Sequence, residues 1–219
     1  MSSRDAILGT LRRQLKRGSL QGPQRDALEA RLQNPPRSLI PARSQLPQPE
    51  QVELFIRMAT EASASLQKVA DMEAVPAAVA AFILRQNLPD DIVLAPELKA
   101  LPWSAQTRLR IEQRAARNGD KVTVTTAAAG IAETGTLLLM SGPDSPTTLN
   151  FLPDVHIVVL PASCIVGPYE DAWAVCRQRE VMPRILNLIT GPSRSADIEQ
   201  TLQLGAHGPV QLHILLVES

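Results

Sequence analysis

The sequence predicts a three-layer α/β/α domain built on a mixed sheet and preceded by an N-terminal helical arm. Three observations lead there. Apolar runs of strand length, such as residues 92–95, 137–140 and 157–160, are too uniform for strands with one wet face. Segments with helical spacing of apolar residues fall between them. The interval between the strands expected at 121–126 and 136–140 is too short for a crossover helix, so these two are expected to pair antiparallel.

Taken in order, Ser2 with Asp5 has capping-box spacing, and Ile7, Leu8, Leu11 and Leu15 recur on one helical face before Gly18. Burying that stripe is expected, at about 1.5–3 kcal/mol for each side chain. A second helix opens on Pro23, carries Ala27, Leu28, Arg31 and Leu32, and stops at Asn34-Pro35-Pro36. The Pro-rich stretch to Pro49 reads as an extended connector, so the arm is assigned to residues 1–49 and the α/β domain to 50–219. Val52, Phe55, Ile56, Ala59, Ser63, Leu66 and Val69 mark one long amphipathic helix, and Pro76 opens another with Val79, Ala80 and Ile83. Strands are expected at 92–95, 121–126, 136–140, 156–161, 186–190 and 213–217. Helices are expected at 104–116, 168–177 and 196–204.

Composition narrows the function. The 219 residues are 44% hydrophobic but only 3% aromatic, so the core must be aliphatic. With 22 basic and 22 acidic residues the chain lacks the positive field that nucleic acid requires. The charged start MSSRDAILGTLRRQLKRG is unlike a secretory signal, and no apolar stretch approaches the roughly 20 residues that span a bilayer, so a cytoplasmic location without a membrane span is expected. Cys164 and Cys176 are too few for a four-thiolate cluster and read as buried thiols. No P-loop, dinucleotide fingerprint, HExxH or Ser-His-Asp pattern is present, and neither a cofactor nor a metal is expected.

Three turn-rich segments beside strong strands are the candidate site. In the first, Gly130 to Thr136, Glu133 stands at the mouth of a strand with Thr134 and Gly135 beside it. A carboxylate there suits a base, a nucleophile or a hydroxyl ligand; it equally suits satisfying the backbone of the turn. The second, Thr190-Gly191-Pro192-Ser193-Arg194-Ser195-Ala196-Asp197, follows a strand and is expected to enter a helix. Its free N–H groups with Ser193 and Arg194 favour an anion, although Asp197 opposes one, and a well-capped helix explains the same residues. The third, Gly205 to Pro209, carries His207, readable as an acid–base group or as a structural histidine. Glu133, Ser193, Arg194, Asp197 and His207 are expected to meet in one cleft outside the carboxyl ends of the strands.

Together, IAETGTLLL, LPDVHIVVLPASCIVG and TGPSRSADIEQTLQLGAHGPVQLHILLVE resemble the lactate-utilisation protein C family (LUD domain), from about residue 50 to the end. The resemblance implies a fold like that of the sugar-phosphate isomerase and coenzyme A transferase superfamily. It also implies a place in a system oxidising L-lactate to pyruvate alongside iron–sulfur partner proteins, this chain being a component without a cluster. With the anion-favouring turn, the leading reading is a non-redox component that binds a small carboxylate, an iron–sulfur partner protein, or both. The alternative is a stand-alone transferase or isomerase using Glu133, by analogy with the glutamate nucleophile of coenzyme A transferases.

Overall fold

The apolar runs become β-strands, but in two large sheets rather than one. The computed structural model describes residues 2–18, 20–36, 39–196, 202–204 and 207–218, with backbone alone for 195, 196 and 202–204. It divides into two compact units, Met1–Leu39 and Ile40–Ser219.

The first unit holds α1 (Ser3–Gln14) and α2 (Pro23–Gln33). The capping box forms: Ser2 Oγ accepts from the Asp5 N–H while the Asp5 carboxylate accepts from the Ser2 N–H. Within this unit the leucine stripe is not covered. Neither helix has a buried residue, and Ile7, Leu11 and Leu15 are each at least 50% exposed. Two helices of 12 and 11 residues, studded with arginine, offer too little apolar surface to cover the stripe.

In the second unit, α3 (Gln48–Glu61) buries Leu54, Phe55 and Ala59. The long helix expected through Val69 stops here: Ser63 takes φ of 68°, and the chain continues as β1 (Ser65–Val69). Then come α4 (Val75–Arg85) and β2 (Asp91–Leu94). The helix expected at 104–116 is instead a 3-10 turn, Trp103–Ala105, followed by β3 (Arg110–Gln113). Leu109 and Ile111 alternate with charged residues, the period of a strand, and Arg110 forks onto Asp91 of β2 at 2.6 Å. Next are β4 (Val122–Thr126), β5 (Ala129–Ile131), β6 (Thr136–Met140), β7 (Val155–Pro161), β8 (Ile165–Val166), α5 (Tyr169–Arg177), β9 (Leu186–Ile189), β10 (Arg194–Ala196), β11 (Leu202–Leu204) and β12 (Gln211–Val217). The helix expected at 196–204 is replaced at both ends by β10 and β11, an antiparallel pair. Leu202-Gln203-Leu204 alternates as a strand does, and residues 197–201 lie outside the described residues.

One sheet has the order β1-β12-β7-β4-β2-β3 and is parallel throughout. The other, β8-β5-β6-β9, is the mixed one. The expected pairing of 121–126 with 136–140 does not occur. β4 joins the parallel sheet, and β6 pairs with β9 and with the three-residue strand β5.

Burial explains the layering. On one face of the parallel sheet, Ile92, Val124, Ile157 and Leu215 pack with Val75, Val79 and Phe82 of α4. On the other, Val158, Leu160, Ile214 and Leu216 pack with Phe55 of α3 and with Leu137 and Leu139 of β6. The far side of the mixed sheet, through Ile131 and Leu138, packs on Ala172 and Cys176 of α5. Cys176 is buried and Cys164 half-buried; both are free thiols.

Candidate functional site

Two Thr-Gly turns build the edge that carries the candidate residues. Thr134-Gly135 enters β6 and Thr190-Gly191 leaves β9, and because β6 and β9 are antiparallel, both turns lie at the same edge of the mixed sheet. Each glycine has positive φ, 65° at Gly135 and 71° at Gly191. A Cβ on Gly135 would overlap the backbone of Ala59, and one on Gly191 the carbonyl oxygen of Ala62. Glycine is therefore required twice over, by conformation and by the close approach of α3.

The two threonines of these turns share one hydroxyl cluster. Thr136 Oγ1 lies 2.6 Å from Thr190 Oγ1 and 2.7 Å from Thr134 Oγ1, and Tyr169, the first residue of α5, brings its hydroxyl within 2.9 Å of Thr134 and 3.1 Å of Thr136. Each hydroxyl donates once and accepts twice, so four can satisfy one another in a half-buried setting. The cluster locks the start of β6 to the end of β9.

Thr190 and Gly191 continue into a cleft of about 230 Å3 between the two sheets, also lined by Ser193, His207, Gly208, Asn150 and His156. Its location corrects the expectation of a crevice at carboxyl ends alone. His156 and Leu212 open β7 and β12, so the cleft lies at the amino ends of the parallel strands and at the carboxyl end of β9. The Ser193 N–H donates to the Pro209 carbonyl at 2.8 Å, which ties the TGPS turn to the HGP turn.

Its floor is polar but uncharged. His156 is fully buried, and its Nε2 lies 2.8 Å from the Thr125 hydroxyl. Burial pushes its pKa down to about 3, so the ring is neutral at pH 7. Asn150 is 3% exposed at the end of a 3-10 turn (Thr147–Asn150) that is pinned by Thr123 Oγ1 donating to the Leu149 carbonyl at 2.7 Å. Among the described residues, no Asp, Glu, Lys or Arg lines it.

The structure thus brings Thr190, Gly191, Ser193 and His207 together on one cleft. It places Thr134 and Gly135 behind them, joined through the hydroxyl cluster. Glu133 does not line the cleft: its backbone N–H donates to the Gly167 carbonyl at 3.1 Å, and its mostly buried carboxylate faces Arg43 at 3.9 Å. Arg194, exposed, follows Ser193 outside the lining. Asp197 and the side chain of Ser195 lie outside the described residues. Asn150 and His156 were not among the residues expected from sequence. The signal for His156 was a single polar residue inside an unbroken apolar strand, VHIVVL.

A larger groove, about 1040 Å3, lies at the carboxyl ends of β2 and β6 and includes Glu97, Asp144, Arg179 and Arg184. There the Thr126 N–H donates to the Glu97 carboxylate at 3.2 Å, and desolvation raises the Glu97 pKa.

Comparison with known proteins agrees with this architecture. A structure of a DUF162-family protein from Deinococcus radiodurans superposes with a TM-score of 0.60 at 22% identity, covering 78% of this chain and 99% of that one, which speaks for the fold. Among curated proteins, Lactate utilization protein C of Bacillus licheniformis is 36% identical over 124 residues, 55% of this chain and 51% of that protein. The protein of the same name from Anoxybacillus flavithermus is 37% identical over 115 residues, 52% and 51% of the two chains. That from Bacillus subtilis is 39% identical over 100 residues, 44% and 42%. The matched stretch thus spans about half the length of these relatives or less. The LUD domain model matches residues 52–217, which takes in both large sheets, the two Thr-Gly turns and the cleft. The chain belongs to the LUD domain family.

Proposed function

We propose that this chain is a non-redox component of a cytoplasmic system that oxidises L-lactate to pyruvate, and that its cleft holds the carboxylate of a small ligand. The observation that carries the reading is the gathering of Thr190, Ser193 and His207 from two separate turns onto one cleft. Two hydroxyls and the backbone of a glycine turn offer hydrogen bonds that suit a carboxylate, and Arg194, next after Ser193, supplies a cation from the rim. The names of the relatives support the lactate assignment. Two cysteines leave this chain without ligands for a cluster, so electrons would pass through iron–sulfur partner proteins.

Loss of the gene should abolish growth on L-lactate and spare growth on pyruvate. Wild-type chain should restore growth, and Arg194→Ala should restore it poorly while weakening carboxylate binding by about 1.5–3 kcal/mol, the worth of a charge-assisted hydrogen bond. Undiminished growth on lactate without the gene would refute the assignment.

A further inference from the structure

We propose that His156 and Asn150 form a hydroxyl-binding subsite in the cleft floor, so that the cleft selects a short hydroxy acid over the corresponding deoxy acid. This deepens the carboxylate reading above and rests on it. Among the described residues, His156 Nδ1 and Asn150 Oδ1 are buried with no hydrogen-bond partner, and both residues line the same cleft. Buried polar atoms are rarely left so, because each costs about 1–3 kcal/mol. The His156 ring is held at Nε2 by Thr125, and Asn150 rides on the turn pinned by Thr123.

Charge decides what these atoms accept. The His156 ring is neutral and no charged side chain lines the cleft among the described residues, so neither an ammonium nor a second anionic group finds a counter-charge among them at the floor. A hydroxyl meets both needs at once. With Thr125 donating to Nε2, Nδ1 carries the hydrogen and donates to the ligand oxygen, while the ligand hydroxyl donates to Asn150 Oδ1. A ketone accepts from His156 but leaves Asn150 Oδ1 without a donor. A plain alkyl chain satisfies neither. The ligand is then a carboxylate held near Thr190 and Ser193 whose hydroxyl reaches the floor, and about 230 Å3 limits it to a few carbons.

Calorimetric titration of the full chain with sodium L-lactate, pyruvate and propionate tests this. L-Lactate should bind about 10- to 100-fold more tightly than propionate, with pyruvate between them. Asn150→Ala should bring the lactate-to-propionate ratio close to one, and a cooperative melting transition shows that the variant is folded. His156→Gln should reduce the ratio in the same way. Equal affinity for lactate and propionate in the wild type would overturn the subsite and leave the carboxylate reading standing. Binding of none of the three would overturn both.

Discussion

His156 and His213 sit one register step apart on neighbouring strands, and the contrast between them separates a core histidine from a site histidine. β7 and β12 pair His156 with Leu212 and Ile157 with His213, so the two rings project to opposite faces of the parallel sheet. Both are buried, both have one nitrogen 2.8 Å from a hydroxyl (Thr125 for His156, Ser65 for His213), and both leave the other nitrogen without a described partner. Burial lowers both pKa values, to about 3 for His156 and, with help from Arg85, to about 4 for His213. What differs is the far side of the ring. His213 stacks on Phe82, centroids 3.9 Å apart, inside the layer beneath α4, whereas His156 faces the cleft. Desolvation alone does not make a site; a buried polar atom needs a space in which a ligand can meet it.

The largest expected effects come from the two Thr-Gly turns that support that space. Gly135→Ala and Gly191→Ala each force a Cβ into the backbone of α3 at positive φ, and each should lower stability by about 3 kcal/mol or more in denaturant titration. Gly142, which has open space around it and ordinary φ, is the control, and Gly142→Ala should stay within about 0.5 kcal/mol. Similar losses at all three positions would mean that the edge is not built on the contacts described.

Acid comes next, and it reads both histidines together. Their folded pKa values lie below the ordinary 6.5, so on acidification the unfolded chain binds protons first. Stability from keeping the rings neutral is full above about pH 6.5 and is lost as pH falls toward the folded values, at about 1.4 kcal/mol per unit for each ring. Melting at stepped pH between 6 and 4.5 should show the sum of two such slopes. His213→Phe should remove one and leave ligand binding intact, whereas an unchanged slope would mean that His213 is not held neutral by burial.

The smallest effect tests the link between the turns. Thr136→Val deletes the hydroxyl at the centre of the cluster and should cost about 1–2 kcal/mol, with a measurable loss of carboxylate affinity through displacement of Thr190. Unaltered stability and binding would show that the cluster does not position the cleft.

Much of this was legible in the sequence. The runs 137–140 and 157–160 had to be buried strands because nothing in them tolerates water on either face, and the two Thr-Gly turns stood out as punctuation beside them. Other features were hidden for physical reasons. Leu66 and Val69 lie three residues apart and so imitate the next turn of α3, while Ser63, which ends that helix, carries no mark of positive φ. Ala129-Gly130-Ile131 is too short and small to announce a strand; Gly130 is tolerated there because Leu160 and Phe55 fill the place of its side chain. The cleft itself depends on which strands become neighbours. Asn150 and His156 stand six residues apart in the chain, and nothing local reveals that the end of β9 closes over both.

The most direct test compares the two rings in one experiment. Nitrogen-15 imidazole spectra of the full chain, recorded at pH 7 with and without saturating L-lactate, resolve each ring nitrogen. The His156 Nδ1 resonance should shift on binding while both nitrogens of His213 stay where they are, and saturating propionate should leave His156 unmoved. Lactate binding with no change at His156, or an equal change at His213, would contradict it.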